Sequence, residues 1–111
     1  MPAHREPIPP GTLDMLILQT LARHGELHGF EIAEAIERAS VQVLQVEEGS
    51  LYPALQRMLV KGLVAAEWGR TAENRRARYY RVTPLGRRQL GQEVESYRRV
   101  SVAIHRILQP A

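Results

Sequence analysis

Histidine is the side chain in this sequence best suited to acid–base chemistry or metal binding, and its spacing here supports neither. His4, His24, His28 and His105 form no His-Glu-x-x-His pattern, and the chain contains no cysteine. No carboxylates cluster at ligand spacing to complete a metal site. There is also no glycine-rich phosphate loop and no nucleophile elbow. An enzyme, a metal site and a cofactor are therefore not expected. What remains is recognition by charge and hydrogen bonding. Residues 1–56 hold three arginines against eight acids, for −5; residues 57–88 hold nine Lys or Arg against two acids, for +7; residues 89–111 add +1. A formal charge of only +3 thus conceals a focused basic segment. Such a segment raises the local concentration of polyanions, so nucleic acid is the leading partner, ahead of an anionic membrane surface. The competing reading of the charge alone is a solvated arginine-rich face.

Two groups of side chains inside or beside that segment could make the contacts. The first is Ser50, Tyr52, Pro53, Gln56, Arg57 and Lys61, a run mixing hydroxyl, amide and basic groups able to meet phosphates and base edges. The second is Arg70, Asn74, Arg75 and Arg76, in a stretch from Gly69 to Ala77 with no apolar side chain larger than Ala. Arginine there suits a phosphate or a narrow minor groove.

The elements that must position these groups can be read from periodicity and caps. Leu13, Leu16, Ile17 and Leu21 recur at helical spacing between Thr12, a suitable N-cap, and Gly25, predicting a helix over 12–24. Gly29, Ile32, Ala33 and Ile36 mark the buried stripe of a second helix over 28–39, with His28 as its cap and Gly29 allowing a neighbouring backbone to approach. Val41, Val43, Leu44 and Val46 read as a short strand. A third helix follows, with Ser50 as N-cap, Pro53 at its third position and Gly62 at its end. Leu51, Leu55, Met58 and Leu59 face the core, leaving Tyr52, Gln56, Arg57 and Lys61 on the polar face. The competing role for Tyr52 is burial against the second helix. Leu63–Trp68 and Arg78–Val82 read as strands around a polar hairpin tip, with Trp68 expected in the core. The fold class is mainly α with a small β-wing, a winged helix-turn-helix domain plus a C-terminal helix, and the third helix is offered to the major groove.

Leu27-His28-Gly29-Phe30-Glu31-Ile32 and Val46-Glu47-Glu48-Gly49-Ser50-Leu51-Tyr52-Pro53-Ala54-Leu55 resemble the two signatures of PadR-like transcriptional regulators. Gly11-Thr12-Leu13-Asp14, Lys61-Gly62-Leu63-Val64, Arg78-Tyr79-Tyr80 and Thr83-Pro84-Leu85-Gly86 extend the likeness over residues 11–108. The resemblance implies a dimeric repressor on a palindromic operator, in the short subfamily with a single C-terminal dimerisation helix. It also implies that Ser50, Tyr52 and Pro53 approach phosphates and base edges. Family members usually carry Tyr where this chain has Phe30, so a phenolic contact is missing at that position.

From Pro84, a helix can run to Leu108. Leu90, Val94, Tyr97, Ser101, Ile104 and Leu108 repeat along it in a heptad-like stripe, widened by Val100, Ala103 and Ile107 beyond what one small domain could cover. With only about two and a half heptads, the helix is expected to pack against both its partner's equivalent and the first helix, giving a homodimer on double-stranded DNA. The competing reading is packing within the chain alone. The chain then divides into a loose arm (1–11), a winged-helix domain (12–83) and a dimerisation helix (84–108). No apolar run reaches the length of a membrane span, so a cytoplasmic protein without membrane contact is expected, with room for a small-molecule effector of unknown identity. The alternative function is a winged-helix adaptor whose basic hairpin binds a protein.

Overall fold

The computed structural model describes residues 4–110, and its core follows the apolar periodicities of three helices. Helix α1 (Leu13–His24) buries Met15, Ile17, Leu18 and Leu21; α2 (Gly29–Ala39) buries Ile32 and Ile36; α3 (Glu48–Val60) buries Leu51, Ala54, Leu55 and Met58. Val64, Tyr80 and Leu90 close the same core. A three-stranded sheet covers it in the order β2 (Leu27–His28), β5 (Arg76–Val82), β4 (Val64–Arg70). The two long strands pair antiparallel from Val64↔Val82 to Arg70↔Arg76 and project as a hairpin.

The arm is not loose where it is described. Strand β1 (Glu6–Pro7) pairs in parallel with β3 (Leu44–Gln45), and Arg5 reaches Glu37 at 3.3 Å. The same Glu37 carboxylate oxygen accepts the Val46 N–H at 2.9 Å, tying arm, α2 and the approach to α3 together. Residues 1–3 of the expected arm lie outside the described residues.

The strand expected over 41–46 shrinks to Leu44–Gln45 because the chain must turn sharply after α2. Val41 and Gln42 lie in the left-handed region, at φ 54° and 63°, and their N–H groups bond back to Arg38 and Glu37 carbonyls. Left-handed geometry costs an L-residue about 1–2 kcal/mol, most for a β-branched one. Val41 is 80% exposed, so its side chain recovers little of that. Val41→Asn is expected to raise Tm by about 4 °C, since asparagine tolerates the conformation. A melt showing no rise would place the turn's strain elsewhere.

Helix α3 begins earlier than its serine suggested. Glu47 is the N-cap, without a side-chain capping bond, and Glu48 occupies the first turn, where a carboxylate complements the helix dipole. Ser50 is thereby the third helical residue rather than the cap, its N–H bonded to the Glu47 carbonyl at 3.0 Å. Pro53 falls inside the helix and removes the hydrogen bond that the Gly49 carbonyl would have received. Thr12 likewise occupies the N-cap position of α1 without capping it; its hydroxyl donates to the Pro9 carbonyl at 2.8 Å.

Helix α4 (Pro84–Leu108) is the longest element, about 37 Å at 1.5 Å per residue. Thr83 caps it, accepting the Gly86 N–H at 3.0 Å while donating to the Gly62 carbonyl at 2.6 Å. Gly86 lies against the Leu63 carbonyl and the Val82 side chain, leaving no room for a Cβ.

Candidate nucleic-acid interface

The positioning of α3 begins at the start of α2. His28 caps α2 in a reciprocal box: Nδ1 accepts the Glu31 N–H at 3.4 Å and the Glu31 carboxylate accepts the His28 N–H at 3.1 Å. The ring also meets Tyr79 edge-on at 5.4 Å. Gly29, the first residue of α2, leaves space for the Tyr52 ring; a Cβ there would sit 2.6 Å from both Cε1 and the hydroxyl. The close neighbour is a side chain from α3, not the backbone that the glycine suggested. Tyr52 is thus packed on α2 along one edge yet 46% exposed. Desolvation, then Glu48 and Tyr80, raises its phenol above the ordinary value, so the hydroxyl remains a proton donor at neutral pH.

Around the axis of α3 the exposed arc runs from Tyr52 and Gln56 through Pro53 to Ser50. At 100° per residue, Gln56 lies about 40° from Tyr52, Pro53 about 100°, Arg57 about 140°, Ser50 about 160° and Lys61 about 180°. Arg57, between Pro53 and Ser50 on this arc, pairs with Asp14 of α1 at 3.2 Å, which ties part of its charge to α1. Lys61 is exposed at the C-cap. Val60, which the polar pattern passed over, is exposed on the same arc, where an apolar side chain could meet a thymine methyl.

The hairpin tip is tighter than expected, a turn over Thr71–Arg75. Asn74 takes the left-handed conformation at φ 63°, its N–H bonds to the Thr71 carbonyl, and the Arg75 N–H bonds to the Thr71 hydroxyl at 3.2 Å. Arg70 donates to the Asn74 carbonyl at 3.1 Å. Arg70 and Asn74 therefore build the turn, while the Arg75 and Arg76 side chains make no ion pair among the described residues. Trp68 is not in the core. The strands run two residues further than expected, and the register puts Trp68 opposite Arg78, beyond the part of the sheet that the helices cover. Arg78 is a further interface candidate, detectable in the sequence only once that register is known. Tyr52, Trp68, Arg75, Arg76 and Arg78 all line one open cleft of about 910 Å³ between α2, α3 and the hairpin. Tyr52 is the one described α3 residue on this cleft, which Glu31, Glu34 and Glu73 also line, so the start of α3 and the basic hairpin share one side of the molecule.

A family model for the transcriptional regulator PadR-like family matches residues 17–92. The chain belongs to the PadR-like family. Among curated proteins, this PadR-like chain is 30% identical over 94 residues to an uncharacterized protein X of Lysinibacillus sphaericus, covering 85% of each. Among solved structures it matches a transcriptional regulator from Clostridium thermocellum at TM-score 0.80 and 27% identity, covering 89% of this chain and 95% of that one. Its fold also matches Bacillus subtilis PadR, solved in complex with operator DNA, at TM-score 0.66 and 23% identity, covering 75% of this chain and 46% of that one.

On the C-terminal helix of the PadR-like chain, the expected dimer stripe divides in two. Leu90 is 8% exposed and belongs to the chain's own core, and Val94 packs against it. The start of α4 lies over α1 and β5, which use these positions up. Beyond them Tyr97, Val100, Val102, Ile104, Ile107 and Leu108 are exposed, with Ser101 half-buried. Among the described residues no helix is long and apolar enough to cross a membrane.

Proposed function

We propose that this PadR-like regulator is a repressor that binds a palindromic operator as a homodimer. Helix α3 enters the major groove, the β4–β5 hairpin lies on the adjacent backbone or minor groove, and the outer part of α4 holds the two copies together. The observation that carries this reading is the shared cleft. Tyr52 of α3 and the unpaired arginines of the hairpin open onto the same side of the molecule, which a groove-bound helix with a flanking wing requires. The exposed apolar run on α4 supports the dimer, because five or more large apolar side chains along one helix seek a partner surface.

Ser50, Tyr52, Pro53 and Gln56 are the helix contacts in this reading. Arg75 and Arg76 are the wing contacts, with Lys61 meeting phosphate at the edge. Gln56 is the direct reader, since its amide can bond two groups of one base edge. Two-fold symmetry requires two protected half-sites about 34–36 Å apart on one side of the duplex. The test uses a duplex selected from genomic fragments by the protein itself. Gln56→Ala is expected to lose about ten- to hundredfold in affinity there, while binding to random duplex is nearly unchanged. A single unsymmetrical footprint, or undiminished preference by Gln56→Ala, would show that α3 is not the reader. Affinity that hardly responds to salt would favour a protein partner instead, because each neutralised phosphate contributes a log–log slope of about −0.9.

A further inference from the structure

We propose that Trp68 is a positioning residue of the wing, an indole plate that holds Arg76 and Arg78 in the orientation in which they reach the minor groove of an A·T-rich duplex. This deepens the operator-binding reading and rests on it. Trp68 is 59% exposed, so core packing does not account for it. The Arg76 guanidinium carbon lies over its ring at 4.5 Å from the centroid and that of Arg78 at 5.8 Å. The strand register sets Trp68 opposite Arg78 and Arg70 opposite Arg76. With strand alternation, one indole and three arginines therefore share a single face of the hairpin. Glu67, the neighbouring carboxylate, falls on the other face, where it pairs with Arg81 at 3.2 Å. Among the described residues neither Arg76 nor Arg78 has a carboxylate partner, so the ring is what orders them.

Stacking on an indole restrains a guanidinium and shields one of its faces from water, while the N–H groups at its edge stay free to donate. An arginine ordered beforehand loses less freedom on contact. The ligand suited to such a group is a narrow, strongly negative minor groove, which A-tracts present and G·C-rich duplexes do not. Arg76 and Arg78 also line the cleft that holds Tyr52, so a duplex seated on α3 brings its backbone and minor groove to this plate.

The test compares full-length variants on two labelled duplexes of equal length, one with a central A-tract and one made of G·C pairs, with thermal melts to confirm folding. The parent protein should prefer the A-tract. Trp68→Ala should weaken A-tract binding about two- to fivefold per subunit and G·C binding by clearly less, and Trp68→Phe should restore most of the loss. The pair Arg76→Ala with Arg78→Ala should lose the preference entirely, and adding Trp68→Ala to that pair should cost nothing more, because the ring acts only through the arginines. Undiminished A-tract binding by Trp68→Ala, or a loss that simply adds to that of the arginine pair, would overturn the positioning role and leave the operator reading standing. An arginine pair that binds both duplexes like the parent would overturn the wing contact itself, and the positioning role with it.

Discussion

Gly86→Ala is expected to lower the stability of the fold by about 3 kcal/mol, the upper range for forcing extra volume into a packed site, and Tm by about 12 °C or more. Gly86 is buried in the first turn of α4, and a Cβ there would run into the Leu63 carbonyl oxygen and lie 2.8 Å from Cγ2 of Val82. Neither obstacle is a flexible side-chain tip. The Leu63 carbonyl is itself fixed, accepting the Thr83 N–H at 3.1 Å, so relief requires α4 to move away from the sheet. Because the helix is long, a small tilt at its root displaces its outer turns considerably, and the variant should also associate more weakly. A calorimetric melt within about 2 °C of the parent would show that this junction yields more readily than its geometry indicates.

Ile104→Glu combined with Ile107→Glu is expected to convert the proposed dimer to a monomer at micromolar concentration. Ile107 is 79% exposed and Ile104 about half exposed, so neither belongs to the core of its own chain, and circular dichroism should be unchanged. In a two-fold interface the double change removes four buried aliphatic side chains and buries carboxylates in their place. At about 1.5 kcal/mol or more for each side chain, the dissociation constant should rise a thousandfold or beyond. Light scattering is the measurement. A double variant that still runs as a dimer would move the interface off the outer half of α4.

Much of this architecture could be read before any coordinates. Helical periodicity and two strong terminators, Gly25 and Gly62, are local signals, and α1, α2 and α4 follow them within a residue or so. The capping role of His28 was also legible, because a histidine before Gly-Phe-Glu has the carboxylate three positions on that a capping box needs. The errors share a cause: each depended on a decision made elsewhere in the chain. Ser50 looked like a cap, but Glu47 and Glu48 start the helix sooner, where the dipole rewards acids. Trp68 looked like core because large aromatics usually are. Its exposure depends on how far the hairpin extends past the helices, which pairing through Arg70↔Arg76 decides. Packing of α4 on the first helix was legible, but periodicity does not say which apolar positions of α4 it uses, and Leu90, which the stripe assigns to the partner, lies in the chain's own core. The ion pair of Arg57 with Asp14 spans 43 positions, beyond any local pattern.

One arrangement at the root of the hairpin bears on how the molecule would respond to force. His28 pairs with Tyr79 in the sheet, caps α2, and touches the Tyr79 ring, so strand and helix share a single residue at their junction. Pushing on the wing tip therefore cannot bend the hairpin without also loading the first turn of α2, and through Gly29 the ring of Tyr52. Hydrogen exchange should show this mechanical coupling as cooperative opening. The amides of Tyr79 and Tyr80 should exchange at the rate of the first turns of α2, as one unit, while those of the Thr71–Arg75 tip exchange much faster. If Tyr79 and Tyr80 instead exchanged with the tip, the wing would be a hinged flap; the shared histidine makes it a stiff lever whose fulcrum is the start of the helix-turn-helix.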